Sequence, residues 1–188
     1  MKTKSKLFIL AIAVIATTSS FAQKKEIKAS ESSIQWTGKK VTGSHTGTLN
    51  LSEGSIVFDG DKITGGEFTV DMTSLAVTDL QAGKGKEDLE GHLNSDDFFG
   101  VTNHKTAKLV IKKAKKSENG YSILGDLTIK GKTNPVKFIL TVKGNTASTI
   151  LTVDRTDYDI KYGSGSFFDN LGDKTINDEF ELAVNLKM

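Results

Sequence analysis

Glu67-Phe68-Thr69-Val70-Asp71-Met72 puts Phe68, Val70 and Met72 on one side of an extended chain and Glu67, Thr69 and Asp71 on the other. That split is the pattern of a strand with one buried face and one wet face. Ser55-Ile56-Val57-Phe58 lies just upstream, separated by the turn-forming Asp59-Gly60-Asp61 and Gly65-Gly66, so the two segments read as consecutive antiparallel strands. Further upstream, Lys39 to Leu51 keeps β-branched and small residues around a bend at Thr42-Gly43-Ser44, and Ile34-Gln35-Trp36-Thr37 alternates again.

Downstream the same period returns. Ala107, Leu109 and Ile111 share a face opposite Lys108 and Lys112, and Asn119-Gly120 is a strong hairpin signal. Tyr121, Ile123, Leu127 and Ile129 continue the alternation; Gly131 to Pro135 then reads as a turn, with the only proline handing over to a strand carrying Val136, Phe138, Leu140 and Val142. Thr149 to Asp154 is another strand, the Gly- and Ser-rich stretch from Lys161 to Gly172 a loop, and Phe180, Leu182, Val184 and Leu186 mark the last inward face. About eight strands with one helical interruption form a meander and not a βαβ repeat. Such a sheet buries its apolar face and loses its edges by closing into an eight-stranded barrel, whose interior has room for one elongated ligand. A two-sheet sandwich with a filled core is the other arrangement the pattern permits.

The interruption is Asp88-Leu89-Glu90-Gly91-His92-Leu93-Asn94-Ser95-Asp96-Asp97-Phe98-Phe99. Leu89 and Leu93 fall on one helical face, and Ser95, Asp96 and Asp97 are residue types that cap and restart a short helix before the phenylalanine pair. A short helical segment near residues 86–99 is therefore expected as a lid, with Ser74 to Lys86 as the loop leading into it.

Lys2, Lys4 and Lys6 precede the apolar run Leu7 to Ala16, and Ser20-Phe21-Ala22 supplies small residues for cleavage, so residues 1–22 read as a signal peptide. Removing them takes away three of the 25 basic residues and none of the 23 acidic ones, leaving 22 against 23 and a net charge of −1. The basic balance of the whole sequence thus belongs to the leader, which removes the electrostatic case for a nucleic-acid partner. No second long apolar run follows, so no transmembrane segment is expected after cleavage, and a periplasmic or secreted location follows. With no cysteine in the sequence, stability must come from a core and not from disulfides. Residues 23–32 are polar and unpatterned and read as a flexible leader; residues 33–188 read as one domain. A homodimer is compatible with this organisation.

Catalytic signatures are weak. Gly163-Ser164-Gly165-Ser166 lacks the lysine and following helix of a phosphate loop, and no Gly-x-Ser-x-Gly elbow occurs. His92 and Asp96 are four apart, but no compact histidine cluster accompanies them, so a capping or surface role outweighs a metal site. Lys112, Lys113, Lys115 and Lys116 read as a solvated strand end. Arg155 stands out because the other 24 basic residues are lysines. A planar, multiply donating fork suits a structural pair with Asp154, Asp157, Asp159 or loop carbonyls, and it also suits the polar head of a ligand. Trp36, the only tryptophan, reads first as packing and second as a ligand platform.

Four motifs carry a resemblance. Leu89-x-x-His92-Leu93-x-Ser95-x-Asp97-Phe98-Phe99, Gly125-Asp126-Leu127-Thr128-Ile129-x-Gly131-x-Thr133-x-Pro135-Val136, Asp154-Arg155-x-x-Tyr158 and Leu171-Gly172-Asp173 together resemble the YceI-like family of exported polyisoprenoid-binding proteins. The likeness runs from about Ser33 to the end of the chain. Where the family carries an aromatic-proline pair after the double phenylalanine, this chain has Asn103-His104-Lys105, which alters the rim there.

The resemblance implies an extended lipocalin-like antiparallel barrel that binds, sequesters or transports a polyisoprenoid, isoprenoid quinone or fatty-acid-like lipid, with no catalytic residue, metal or required cofactor. Under it, Trp36, Phe68, Val70, Met72, Leu127, Ile129, Phe138, Leu140, Phe180 and Leu182 become the apolar cavity. Leu89, Leu93, Phe98 and Phe99 become its lid, and Arg155 and Tyr158 a polar head contact or a structural pair. Two other readings stand beside it: an exported structural or stress-protective protein with a filled core, and, more remotely, a lipid hydrolase using His92.

Overall fold

The computed structural model describes residues 22–188; residues 1–21, where the signal-peptide reading falls, lie outside the described residues. Nine strands and one short α-helix follow in the order β1 (Gln23–Glu26), β2 (Ser33–Lys40), β3 (Gly43–Asp59), β4 (Lys62–Val77), α1 (Lys86–Asn94), β5 (Thr106–Ser117), β6 (Gly120–Ile129), β7 (Lys132–Lys143), β8 (Thr146–Asp154) and β9 (Ile176–Lys187). All strand pairings are antiparallel. β2 to β9 form a ring in the order β3-β2-β9-β8-β7-β6-β5-β4, closed by β3 pairing with β4. The closed barrel is the outcome expected of a meander that must hide its edges.

The tight hairpins β3–β4, β5–β6 and β7–β8 lie at one end. The other end carries the β2–β3 and β6–β7 turns, α1 with its flanking loops, and the long connection from Arg155 to Thr175. The ring is uneven: β7 pairs with β8 only over Thr141 to Lys143, while β8 and β9 pair along nine residues from Thr146 to Asp154. Beyond Thr141 the seam is crossed by Asn134 Nδ2 donating to the Asp157 carbonyl at 2.8 Å. Pro135 sits inside β7 and not in the preceding turn, on the stretch that has no β8 ladder, where a missing N–H is best tolerated.

Three further boundaries differ from the sequence reading. Gln23 to Glu26, expected within a flexible leader, is a strand paired with Ser55 to Phe58 of β3. A 3₁₀ turn at Ala29–Glu31 joins it to β2, so both run along the same side of β3. Main-chain pairing asks for no side-chain pattern, and buried Ile27, whose N–H reaches the Gly54 carbonyl at 2.8 Å, is the one apolar anchor.

Ser74 to Val77, expected as loop, continues β4. A bulge between Asp71 and Ala76 breaks the alternation, and Asp71 Oδ1 and Ser74 Oγ satisfy the Thr73 and Asn50 N–H groups there. Finally, α1 ends at Asn94, and Ser95 closes the helix. Its hydroxyl donates to the His92 carbonyl at 2.7 Å, and its own carbonyl receives the N–H groups of Phe98 and Gly100. Asp96 and Asp97 are exposed turn residues and start no second helix.

Candidate functional site

The core is not filled throughout. Ile56, Phe58, Ile123 and Ala147 are buried inside the hairpin end, where Ile63 and Ile123 border only a second, more open hollow beside Lys113, Lys115 and Lys137, whereas the lidded half encloses a cavity of ≈ 630 Å³. That volume lies within the range of about 300–1,000 Å³ that holds one small ligand. All fourteen apolar residues anticipated for the cavity and lid line it: Trp36 from β2, Phe68, Val70 and Met72 from β4, Leu89 and Leu93 from α1, and Phe98 and Phe99 after it. Leu127 and Ile129 come from β6, Phe138 and Leu140 from β7, and Phe180 and Leu182 from β9.

Sequence reading missed other contributors. Ile34, Leu49, Leu51, Leu75, Leu80, Leu151 and Ile176 also line the cavity. Ile34, Leu49 and Leu51 were legible as inward positions flanking Trp36 and the bend after it. Leu75 was hidden by the β4 bulge, and Leu80 lies in the loop beyond Val77, where strand alternation gives no signal.

Trp36 reaches its place because its cross-strand partner is Gly47. A Cβ on Gly47 would fall 2.4 Å from indole Cζ2 and 1.9 Å from the Ala76 carbonyl oxygen. Only a bare backbone there lets the ring lie flat against the wall. Neighbouring Leu182 on β9 completes the pair on its other side.

The lid is tied at both ends. Glu90 Oε1 accepts the Val77 N–H at 2.8 Å and so joins α1 to the end of β4, while Lys130 Nζ donates to the Asp96 carbonyl at 2.6 Å from the β6–β7 turn. Leu89 and Leu93 face the cavity, one turn apart. An aromatic chain then crosses the opening. The His92 ring meets Tyr162 at 4.4 Å and Phe98 at 5.4 Å, Phe98 meets Phe99 at 5.5 Å, and Phe99 meets Phe180 at 6.3 Å, all edge-to-face.

Arg155 closes the structure beneath this chain. Its guanidinium is 2% exposed and donates from Nε to the Asn177 carbonyl (3.0 Å), from Nη1 to Ile160 (2.7 Å) and from Nη2 to Ile176 (3.0 Å). The carboxylate it meets is Asp178, at 3.4 Å, and not Asp154, Asp157 or Asp159. Asp154 instead caps the 3₁₀ turn Arg155–Tyr158 through the Thr156 N–H and hydroxyl, and Asp159 pairs with Lys161 at 2.9 Å.

Burial pushes the guanidinium below its ordinary pKa, against the opposing pull of Asp178 and Asp154. For Asp178, burial acts upward, but hydrogen bonds from Ser164 and Ser166 together with the Arg155 charge outweigh it and hold the carboxyl below its usual value. The Phe98 ring lies 5.6 Å from the guanidinium carbon. Arg155 touches the cavity from this locked position. Tyr158, paired with it in the sequence reading, does not line the cavity; it is 1% exposed, its hydroxyl has no hydrogen-bond partner, and burial followed by the Asp157 charge pushes that hydroxyl up to about 12.

Polar character is sparse along the lining. Trp36 Nε1, His92 Nε2 and Thr149 Oγ1 are buried with no partner. The mouth is framed by Lys39, Lys40, His45, Asp88 and Glu179, with His45 Nδ1 2.9 Å from Asp79. Among the described residues no group of three or more His, Cys, Asp or Glu side chains is placed to hold a metal ion, and no helix is long and apolar enough to cross a membrane.

A closed eight-stranded antiparallel barrel with an apolar, lidded interior defines a lipocalin-like fold. The chain belongs to the YceI-like domain family, whose model matches residues 26–188. The fold is shared with Burkholderia cenocepacia BcnA, at 21% identity and a TM-score of 0.66 over 85% of this chain and 98% of that one. It is shared too with a polyisoprenoid binding domain from Saccharophagus degradans implicated in plant cell wall breakdown, at 15% identity and a TM-score of 0.60 over 88% and 97% of the two chains. A UPF0312 protein of Serratia proteamaculans is 31% identical over 66 residues, which is 35% of this chain; the match spans only 34% of that relative.

Proposed function

We propose that this protein is a non-catalytic carrier or store for one long apolar lipid, a polyisoprenoid, an isoprenoid quinone or a fatty-acid-like molecule, held in the barrel after export to the periplasm or beyond the cell. The observation that carries the reading is the ≈ 630 Å³ apolar cavity beneath Leu89, Leu93, Phe98 and Phe99. Family membership and the polyisoprenoid-binding neighbour support the same class of ligand. Transfer of a hydrocarbon tail from water to these walls is favourable by about 25 cal/mol per Å² of buried apolar area, which supplies affinity without specific contacts. Selectivity then falls to cavity depth, bounded by Leu140 and Leu186 toward the hairpin end. The unpartnered Trp36 and Thr149 groups favour a ligand with an oxygen along its length over a bare hydrocarbon, because unsatisfied buried donors cost about 1–3 kcal/mol each.

Trp36 provides the test, being the only tryptophan and part of the cavity wall. Titration with a conjugated polyene fatty acid should quench its emission in a saturable way at one equivalent per chain, and a long-chain polyprenol should compete. Linear, non-saturating quenching with no competition would refute a defined lipid site.

A further inference from the structure

Six large apolar side chains are conspicuously exposed among the described residues, and four of them gather at the lidded end: Val41 (63%), Tyr162 (48%), Phe167 (51%) and Phe168 (51%). Val41 lies in the β2–β3 turn, where its N–H reaches the Thr175 carbonyl at 3.2 Å. Tyr162, Phe167 and Phe168 belong to the connection into β9. That connection is pinned: Ile176 N–H donates to the Gly163 carbonyl at 2.8 Å, Ser164 is fully buried, and its carbonyl receives the N–H groups of Phe167 and Phe168 at 3.2 and 3.0 Å. The two phenylalanines are thus held outward by a formed turn, and little ordering cost remains when they bind something.

We propose that Val41, Tyr162, Phe167 and Phe168 form a membrane-docking rim that seats the cavity mouth at the polar–apolar boundary of a lipid bilayer. The inference rests on the lipid-carrier reading, because a bilayer is where such a ligand resides. Tyr162 is the link: it is half exposed on the rim, lines the cavity, and packs on His92 of the lid. Aromatic side chains are the residues that settle at the headgroup level.

The area argues against a second copy of this chain as occupant. Four half-exposed side chains offer about 400 Å², short of the roughly 800 Å² per partner of a stable interface. Charge on the rim is balanced, with Lys40, Lys161 and Lys174 against Asp159, Asp169 and Asp173. Insertion is therefore driven by apolar contact and depends little on anionic lipid or salt. Lys161 Nζ, 4.8 Å from the Phe167 ring, is a cation placed to sit at the phosphate level.

The test is vesicle flotation of the mature protein with phosphatidylcholine alone and with phosphatidylcholine mixed with phosphatidylglycerol, for wild type, Phe167→Ser/Phe168→Ser and Phe167→Trp/Phe168→Trp. Wild type and the Trp pair should float with both vesicle types, and the Ser pair should partition at least about tenfold more weakly. Bound lipid, read by native mass spectrometry, should be the same in all three. Equal flotation of wild type and the Ser pair, flotation confined to anionic vesicles and abolished by salt, or no flotation at all would overturn the rim. So would a dimer in sedimentation that the Ser pair dissociates. Loss of the carrier reading registers separately, as the absence of lipid in every variant.

Discussion

The two ends of this barrel are built from the same strands with the same alternation, yet one is solid and the other hollow. At the hairpin end Ile56, Ile123 and Ala147 are at most 1% exposed and do not border the lidded cavity. At the lidded end Phe68, Leu127 and Phe138 point inward with equal regularity and border open space. The difference teaches that inward facing and core packing are separate properties. The first follows from the period of the strand, the second from how far the ring is splayed and what covers its mouth. Here the covering is polar at one critical point: Arg155 holds the carbonyls of Ile160, Ile176 and Asn177, fixing the start of β9 against the turn after β8.

Substitutions that treat the ends differently should expose the contrast. The largest loss is expected for Arg155→Ala, which strips three carbonyls and Asp178 of their partner and should cost about 3–5 kcal/mol in denaturant unfolding. A cost below about 1 kcal/mol would mean that the lidded end does not depend on this lock. Next comes Ile123→Ala in the solid end, expected to cost about 3 kcal/mol, against a clearly smaller loss for Leu127→Ala, whose side chain already borders a void. Equal costs would erase the distinction between the ends.

The reverse substitution sharpens it further. Ile123→Trp overpacks and should cost roughly 1–3 kcal/mol or more, whereas Leu127→Trp should change stability by less than about 1 kcal/mol while abolishing uptake of the polyene probe. The smallest effect is acid sensitivity at Asp178. Its carboxyl is held below its usual value in the folded state, so its contribution, under about 1 kcal/mol, is present above the unfolded value of about 3.9 and fades as pH falls through the lower folded value. Asp178→Asn should flatten that part of the stability-versus-pH curve below about pH 4, and an unchanged curve would remove Asp178 from the lock.

Much of this was readable from the chain itself. Period-two alternation placed Phe68, Val70, Met72, Phe180 and Leu182 on inner faces, and the four-residue step from Leu89 to Leu93 located the lid. What escaped had no local signal. The bulge after Asp71 shifted the alternation, so Leu75 was lost in a supposed loop, while Leu80 lies in the real loop after β4, where no strand period marks an inward position. β1 is held by backbone pairing, which polar side chains neither encode nor oppose. The singularity of Arg155 announced a structural fork, and the loop carbonyl of Ile160 is of the kind expected for it, but its other partners, Ile176, Asn177 and Asp178, lie some twenty residues away at the start of β9, beyond anything sequence spacing reveals. The apolar rim at Phe167 and Phe168 stood in plain view in the sequence and was passed over inside a stretch dominated by Gly and Ser.

The central claim is that the hollow half is a binding site. Native mass spectrometry of protein purified without detergent, before and after extraction with organic solvent, addresses it most directly. The account predicts a chain carrying one lipid-sized mass that extraction removes and an added long-chain polyprenol or fatty acid restores. A bare chain before extraction that takes up no long-chain lipid afterwards would contradict it.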